Sequence, residues 1–498
     1  MKKQKATPLK IYMALLPSEE QTAVRQYLLD LRGRINMSNS QQLQMMQDFE
    51  NAILYLLRSG LCVFEALSRL SLENLGSFYK DEMTSWFPLD DGAKIYPLTM
   101  KRNWMQMFRM SAYLNEDIVP ELLQIALTFT IKRFPFFATT VKKGIFWHYL
   151  DGTKKRYEVL PETVLPCSPI NVSSYGTPPF RVLYYNNRIS LEGFHILTDG
   201  LGATSFLLTL SAEYIRLKYG EEMPCTGFVK NINEAVPPEE LANDFRLAKP
   251  DKKVSGFSQK GALQLNGKLS HTLPHQIINF EMDASALHSL SKSKGCTVNT
   301  LMLAFMILAS KEASSGEGRM NFQVPVNMRK YYETQTLRNL SMYCVLSFMR
   351  SEIDSLDSLI EQINTQLSEK MTFEKMSQAL AYAAALVHAL RPIPLYLKWP
   401  VAKLVYGILG DRVFSNTLSN LGVLKLSPQM QPYIQKINAV LGPAISNRVT
   451  CAMATCNDTA VLAITKMTSN TDFETSLYRI MSEQGLEIKL TGSMPYGN

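Results

Sequence analysis

The segment Phe194-His195-Ile196-Leu197-Thr198-Asp199-Gly200 contains a histidine, an aspartate four positions later and a glycine directly after it, in the pattern HxxxDG. Residues 189–194 before it read as a strand, and residues 201–219 after it carry apolar side chains at helical spacing. His195 therefore stands where a strand leaves its sheet and a helix begins. A neutral imidazole, with an unperturbed pKa of about 6.5, can accept a proton there near neutral pH.

Each of the three motif residues has a role that its chemistry allows. His195 as a general base would take a proton from an alcohol or amine that attacks a carbonyl, for a gain of about 10² to 10⁴ in rate. Gly200 would permit close backbone approach or an unusual dihedral where the helix begins. Asp199 would cap the helix starting near Leu201, which contributes about 1 kcal/mol. The motif predicts a catalytic site at His195, Asp199 and Gly200.

The chain on either side of the motif has clear boundaries. Residues 181–185 and 189–194 predict two strands joined at Asn186 and Asn187, which tolerate the left-handed conformation of a tight hairpin. Gly220 predicts the end of the helix that follows the motif. The hairpin is therefore expected to deliver His195 at the far end of its second strand.

With these features, the pattern resembles the signature of the chloramphenicol-acetyltransferase-like superfamily, which includes alcohol acetyltransferases, plant CoA-dependent acyltransferases and peptide-synthetase condensation domains. The likeness covers about residues 88–498 and is strongest to bacterial alcohol-acetyltransferase-like proteins. It rests on three further segments: residues 122–136, with Leu122, Ala126, Arg133, Phe134 and Pro135; Val324-Pro-Val-Asn-Met-Arg329; and Thr417-Leu-Ser-Asn-Leu-Gly422.

The resemblance implies an α/β (α+β) fold of two lobes, each a mixed β-sheet with helices, that meet around a tunnel. His195 would sit at mid-tunnel, where acyl-CoA enters from one face and the acceptor from the other. Asp199 would orient its loop through Arg329 without touching the substrate. Ser419 and Asn420 would supply oxyanion or tunnel donors. No tightly bound cofactor and no metal is expected, and the residues that bind the coenzyme are not assigned.

The function expected from the resemblance is transfer of an acyl group, in the simplest case acetyl, from acyl-CoA to the hydroxyl of a small acceptor. Condensation domains usually carry two adjacent histidines, whereas Phe194 precedes His195 here, and the DFGWG segment of the plant enzymes is absent. Three alternatives stay open: an N-acyltransferase, a condensation-like protein that takes its thioester from an acyl carrier protein, and a non-catalytic binding relative. The sequence does not define the acceptor, the acyl length or the oligomeric state.

Helical patterns and loop-rich stretches divide the 498 residues into four parts. Residues 1–85 predict a helical N-terminal extension, which the resemblance leaves unexplained. Residues 86–245 form the predicted first lobe with the HxxxDG motif, and residues 276–498 form the second lobe. Between them, residues 246–275 are rich in charge, Gly, Ser and Pro and predict a linker that crosses from one lobe to the other.

The charge and the cysteines narrow the class of protein. The net charge is +8, but the basic residues form no long run and no recognisable module, so no nucleic-acid partner is expected. A coenzyme phosphate is compatible with this charge. The seven cysteines are odd in number and contain no CxxC pair, which favours free thiols in a reducing, cytoplasmic setting.

Residues 379–410 are the most apolar long stretch of the chain. Charged residues and prolines interrupt it well short of the roughly 20 residues that span a bilayer. Trp399 with Lys398 and Lys403 would suit contact with a lipid surface. A packed helix pair is the favoured interpretation of this stretch, so contact with a membrane surface is not expected.

Overall fold

The computed structural model describes residues 7–81, 85–101, 104–174, 176–248, 261–269, 275–408, 410–444 and 446–492. Much of the predicted linker, residues 249–260 and 270–274, lies outside the described residues. Its middle part, residues 261–269, runs along the second half of the chain. There the Leu263 N–H donates to the Arg319 carbonyl and the Asn266 N–H to the Ala313 carbonyl, each at 2.7 Å.

The described helices fall into a group of four before residue 70 and a larger group spread among the strands. They are α1 (Pro8–Met13), α2 (Ser18–Gly33), α3 (Asn39–Arg58), α4 (Val63–Arg69), α5 (Tyr96–Thr99), α6 (Pro120–Thr130), α7 (Gly200–Tyr219), α8 (Ala284–Ser293), α9 (Val298–Glu312), α10 (Leu356–Lys370), α11 (Phe373–Leu390), α12 (Leu395–Ile408) and α13 (Asp472–Glu483).

The described strands all begin after the four N-terminal helices. They are β1 (Trp86–Pro88), β2 (Met107–Leu114), β3 (Thr139–Lys143), β4 (His148–Gly152), β5 (Val159–Pro161), β6 (Phe180–Tyr185), β7 (Arg188–Phe194), β8 (Gln276–Asp283), β9 (Arg319–Asn327), β10 (Ser341–Met349), β11 (Asn416–Val423), β12 (Ile434–Leu441), β13 (Val449–Cys456), β14 (Thr459–Lys466) and β15 (Lys489–Gly492).

Two large mixed sheets and one small sheet organise these strands. The first large sheet has the order β12-β2-β7-β6-β5 and the second the order β10-β9-β11-β13-β14-β8-β15. Each contains parallel pairs, β5 with β6 in the first and β11 with β9 and β13 in the second, among antiparallel ones. A third sheet, β1-β4-β3, is antiparallel. The predicted mixed α/β fold of two sheet-and-helix lobes is confirmed.

The hairpin that leads to His195 forms as the sequence predicts. Tyr185 at the end of β6 pairs with Arg188 at the start of β7, and Asn186 adopts a left-handed φ of 46° in the turn between them. After the motif, α7 runs until Gly220, which ends the helix with a φ of 79°. Because β7 is flanked by β2 and β6, the residue that follows β7 emerges from the interior of the sheet.

The N-terminal helices pack against the first lobe and share its core. The Phe49 ring of α3 lies 5.9 Å from the Phe129 ring of α6, and both side chains are fully buried. An ion pair joins Arg156 to Asp48 at 2.6 Å. Arg69 donates to the carbonyl of Lys218 at the end of α7 (2.8 Å). The extension is therefore bound to the first lobe by apolar and polar contacts.

One strand from the second half of the chain completes the sheet of the first lobe. β12 pairs antiparallel with β2, although it lies between β11 and β13 in sequence. Its side chains also reach the second sheet, because Lys436 pairs with Glu281 of β8 at 2.6 Å and Asn438 donates to Asn279 at 3.1 Å. The two lobes are thus connected by a shared strand, which the division of the sequence at residue 276 does not anticipate.

Within the described part of the chain, no single helix is both long and apolar enough to cross a membrane. The pair α8 and α9 reaches the required length and composition only together, across a bend of 85°. All seven cysteines lie in the described ranges and are free. The same ranges contain no group of three or more His, Cys, Asp or Glu side chains able to hold a metal ion.

Candidate active site

His195 follows β7 directly and is half-buried, so part of its surface stays accessible. Its backbone N–H donates to the Gln106 carbonyl at 2.9 Å, which continues the pairing with β2 one residue past the strand. The imidazole lies between two aromatic rings, with centroid distances of 5.1 Å to Tyr96 and 5.5 Å to Phe108. These contacts limit the rotation of the ring and fix its position.

Asn339 determines which of the two ring nitrogens of His195 carries the proton. The His195 Nδ1 lies 3.1 Å from Asn339 Oδ1. The Asn339 amide nitrogen instead faces the carboxylate of Asp90 at 3.4 Å, and its backbone N–H donates to the same carboxylate at 3.1 Å. Because the Asn339 oxygen only accepts, Nδ1 of His195 carries the proton. Nε2 then keeps its lone pair and is the nitrogen able to act as a base.

The surroundings of His195 keep the ring neutral near neutral pH. Burial lowers the pKa of His195 below the usual 6.5. The negative charge of Asp199 and the hydrogen bonds of the ring to its own backbone and to Asn339 raise the pKa, but they offset only part of this effect. A base that is unprotonated before it meets its substrate is what general-base catalysis requires.

Asp199 holds the start of α7 and the start of β10 at the same time. Its Oδ1 accepts the backbone N–H groups of Leu201 at 3.2 Å and Gly202 at 3.5 Å, which is the geometry of a helix cap. Its Oδ2 accepts the Leu340 N–H at 2.9 Å and the Ser341 hydroxyl at 3.0 Å. Since Asn339 directly precedes these two residues, Asp199 also positions the side chain that faces His195.

Arg329 completes the contacts of Asp199. Its Nη1 lies 2.8 Å from Asp199 Oδ2, and both side chains are almost fully buried. The rest of the guanidinium binds the loop that carries Asn339, through the carbonyls of Thr336 at 2.8 Å and of Arg338. The pair therefore joins the motif turn of the first lobe to a loop of the second.

This ion pair determines the charge of Asp199. Burial alone would raise the pKa of Asp199, but the Arg329 guanidinium and the N–H of Leu340 lower it to a net value below the usual 3.8. The carboxylate is thus ionised throughout the neutral range. Removing one partner of such a buried pair typically costs about 3–5 kcal/mol, because the other charge is left unpaired.

In this turn, the lack of space for a side chain requires glycine at position 202 more strictly than at position 200. A Cβ at Gly200 would meet only the end of the Leu421 side chain, at 2.6 Å, and Gly200 is not among the glycines with a left-handed φ. A Cβ at Gly202 would fall 2.0 Å from both the Leu337 carbonyl oxygen and the Thr198 hydroxyl. The close approach predicted for Gly200 is therefore a side-chain contact, and the unusual dihedral is not observed.

Ser419 and Asn420 lie on β11, beside the motif turn, because Leu421 of the same strand contacts Gly200. The Asn420 side chain donates to Asn299 of α9 at 3.2 Å and accepts the Gly422 N–H at 2.8 Å. Among the described residues, no hydrogen bond joins Ser419 or Asn420 to His195. Their expected role as oxyanion or tunnel donors stays a prediction.

Two residues of the site were not found from the sequence. Asn339 and Asp90 are both buried, and Asp90 is paired with the buried Arg338 at 3.1 Å. Burial raises the pKa of Asp90 to about 6, against the opposing effects of Arg338 and Asn339. Asp90 stands in a Pro- and Gly-rich loop and Asn339 in a short polar segment, and neither environment carries a local pattern. Only their contact in space connects them with His195.

Two surface cavities of about 530 Å³ and 280 Å³ lie away from His195. The first is formed by α2 and the segment around Ser71, and the second lies between that segment and α7. Neither has His195 in its lining. The tunnel expected around the histidine stays a prediction.

Solved structures with a similar fold come from two groups of proteins. TRI101 of F. sporotrichioides, complexed with coenzyme A and T-2, superposes with a TM-score of 0.57 over 82% of this chain and 100% of its own, at 11% identity. TRI3 trichothecene 15-O-acetyltransferase from Fusarium sporotrichioides gives a TM-score of 0.51 over 80% and 94%, at 11% identity. The chain has the fold of the chloramphenicol-acetyltransferase-like superfamily.

Peptide-synthetase domains share this fold with the chain. The EpoB cyclization-docking bidomain from Sorangium cellulosum aligns over 90% of this chain and 92% of its own, with a TM-score of 0.54 and 13% identity. No family model matches the chain, and no curated protein matches it. At these identities the likeness extends to the fold and not to the substrates.

Proposed function

We propose that this chain transfers an acyl group from acyl-CoA to the hydroxyl of a small acceptor, with His195 as the general base. The observation that carries the proposal is the contact of His195 Nδ1 with an Asn339 side chain whose amide nitrogen faces Asp90. This arrangement leaves the Nε2 lone pair available in a half-buried position. A base of this kind contributes about 10² to 10⁴ to the rate.

In the proposed reaction the acceptor hydroxyl gives its proton to His195 Nε2 while its oxygen attacks the thioester carbonyl. The carbonyl becomes a tetrahedral oxyanion, and its collapse breaks the carbon–sulfur bond. The imidazolium then returns the proton to the leaving thiolate, so the products are the ester and free CoA. His195 ends in its starting protonation state, and no further reactant is needed.

Asp199, Arg329 and Asp90 act in this proposal as positioning residues. Asp199 and Arg329 bind the backbone on both sides of Asn339, and Asp90 binds Asn339 itself. The imidazole is therefore held through contacts from both lobes. A base displaced by about 1 Å can lose a hundredfold in rate, which is why such contacts matter for catalysis.

The comparisons support the donor and the type of acceptor. One structural neighbour was crystallised with coenzyme A and another is named an O-acetyltransferase, so a CoA thioester and a hydroxyl acceptor are the first pair to test. Because another neighbour is a peptide-synthetase domain, a carrier-bound thioester is the competing donor to test for this chain. Amine acceptors use the same base and are tested in the same assay.

The deciding experiment incubates the purified chain with acetyl-, octanoyl- and palmitoyl-CoA and a panel of alcohols and amines, and follows the release of free thiol. We expect acceptor-dependent thiol release by the wild type. His195→Ala should lower kcat/KM by at least about a hundredfold without changing the fold. The matched control is His288→Ala, at an exposed histidine of α8, which should behave like the wild type.

Near-normal turnover by His195→Ala would refute the assignment of the base. Thiol release that needs an acylated carrier protein in place of acyl-CoA would move the protein to the condensation-like alternative. Transfer to amines but not to alcohols would make it an N-acyltransferase.

A further inference from the structure

A cluster of exposed apolar side chains lies where the β3–β4 turn meets the start of α12. We call this cluster the apolar tip. Ile145 is 77% exposed, Tyr396 72% and Leu397 51%, and the grouping of such side chains on one surface is what marks a candidate interaction site. The apolar tip consists of Ile145, Phe146, Ile393, Tyr396, Leu397 and Trp399.

Three contacts join the two segments of the apolar tip into one surface. The Leu395 N–H donates to the Ile145 carbonyl at 2.8 Å. The Lys143 ammonium lies 5.7 Å from the centre of the Trp399 ring, and the Lys398 ammonium lies 3.3 Å from the centre of the Trp147 ring. The exposed residues on each side are thereby held next to one another, and the inward-facing Leu395 and Lys398 are buried.

The two segments that form the apolar tip carry basic residues and no acidic residue in the sequence. Residues 391–400 contain Arg391 and Lys398 and no Asp or Glu, and residues 141–150 contain Lys142 and Lys143 and likewise no acid. Asp91, on the turn beneath α11, is paired with Lys94. Exposed aromatic and aliphatic side chains surrounded by Lys and Arg are typical of surfaces that bind anionic lipid interfaces.

The apolar tip lies close to the candidate base. α12 packs against α5, and the Tyr96 ring of α5 is the ring that lies 5.1 Å from the His195 imidazole. The helix that would face a bilayer is thus separated from the catalytic histidine by a single short helix. Docking through the apolar tip would bring this side of the site to the lipid surface.

We propose that the apolar tip docks the protein on an anionic lipid surface, with its aromatic and aliphatic side chains in the interface and Arg391 and Lys143 near the headgroups. The apolar side chains would leave water, and each basic residue near an anionic surface would add to the attraction. A packed helix pair, the interpretation favoured from the sequence, accounts for the buried face of α11 and α12 but not for this outward face.

The test is flotation of the full chain with vesicles of phosphatidylcholine alone or with about 30% phosphatidylglycerol, without any acyl donor. We expect the wild type to float with the anionic vesicles and not with the neutral ones. Raising the ionic strength from about 0.1 M to about 1 M, which shortens the Debye length from about 10 Å to about 3 Å, should release most of it.

Ile145→Ser combined with Leu397→Ser should reduce binding to anionic vesicles by at least about tenfold, because two apolar side chains no longer enter the interface. Both positions are exposed, so circular dichroism should show an unchanged fold. The matched control is Leu15→Ser combined with Leu43→Ser, two leucines of the helical extension that are 81% and 63% exposed. Arg391→Glu should also weaken binding, and Arg58→Glu, at an exposed arginine of α3, should not.

Three results would overturn the proposal: no binding of the wild type to anionic vesicles, equal binding to neutral and anionic vesicles, or full binding by the Ile145→Ser, Leu397→Ser variant. If the wild type forms a dimer in sedimentation velocity and binds no vesicles, and the Ile145→Ser, Leu397→Ser variant is a monomer, the apolar tip would be assigned to self-association instead. Because no acyl donor is present, these outcomes are independent of the proposed transferase activity.

Discussion

At the scale of single residues, the base function of His195 depends on Asn339. We expect Asn339→Ala to lower kcat by about 10- to 100-fold with little change in KM, because the imidazole loses the acceptor that fixes its tautomer. The hydrogen bond to Asn339 raises the pKa of His195, so the acid limb of the rate profile should move to lower pH in the variant. Steady-state kinetics across the acid range measure both effects.

The control for Asn339→Ala is Asn51→Ala, at an exposed asparagine of α3. An unchanged acid limb in Asn339→Ala would mean that Asn339 supports only the fold. A loss of activity that appears wholly in KM would point to substrate binding instead of the tautomer.

A second residue, His148 of β4, should make stability depend on pH. Burial, together with the charge of Lys143, lowers the pKa of His148 from 6.5 to about 4. Between these two values the unfolded chain binds a proton here and the folded chain does not, so acidification favours unfolding. We expect His148 to lower the free energy of unfolding by up to about 3 kcal/mol across this window.

Denaturant unfolding of wild type and His148→Gln at several pH values from about 7 to about 4 tests this expectation. The loss of stability on acidification should be smaller in the variant, and His288→Gln should follow the wild type. The pKa values of His195 and His275 are lowered too, so the stability of the His148→Gln variant should still decrease on acidification, but less steeply. Parallel curves for wild type and His148→Gln would contradict the prediction.

Site residues could be predicted from the sequence when they stood close together in a local motif or in a segment that resembles the superfamily. His195 and Asp199 stand in one turn, and the approach of Arg329 to Asp199 was expected only through the resemblance. Asp90 and Asn339 are 249 positions apart and carry no spacing pattern, so nothing in the sequence connects them. Buried polar contacts of this kind become visible only once the chain is folded.

At the scale of elements, the first turn of α7 has no room for a side chain at Gly202. We expect Gly202→Ala to destabilise the protein by about 1–3 kcal/mol and to lower activity, because the new Cβ would push the Leu337 backbone and with it the loop of Asn339. Gly33→Ala, at the end of α2 with open space around its Cβ position, should be neutral or stabilising. Thermal unfolding and kcat/KM together measure the two effects.

Wild-type stability and activity in Gly202→Ala would show that the loop shifts without cost.

The elements around this turn were predicted well, because the Asn186-Asn187 turn and Gly220 are strong local signals. β12 was not predicted, since an isolated apolar run does not reveal which sheet it joins.

At the scale of the whole molecule, the helical extension and the first lobe should unfold together. Phe49 of α3 is fully buried against Phe129 of α6. We expect Phe49→Ala to lower the free energy of unfolding by about 3–5 kcal/mol. Limited proteolysis and circular dichroism during heating should then report one common transition for the extension and the lobe.

Phe64→Ala, at a phenylalanine of α4 that is 53% exposed, is the control and should change stability little. Separate transitions for the extension and the lobe would contradict a shared core. The sequence predicted the helices of the extension but not what they pack against, because amphipathic periodicity defines a buried face without naming its partner.

The shared strand β12 also bears on biosynthesis. In the finished sheet β2 lies between β12 and β7, so on a nascent chain one edge of β2 stays bare until the ribosome has released residues 434–441. A bare edge is a template for pairing with other chains. Messages truncated before this strand should therefore yield aggregating or chaperone-bound polypeptides, even though they encode the whole hairpin and the histidine that follows it.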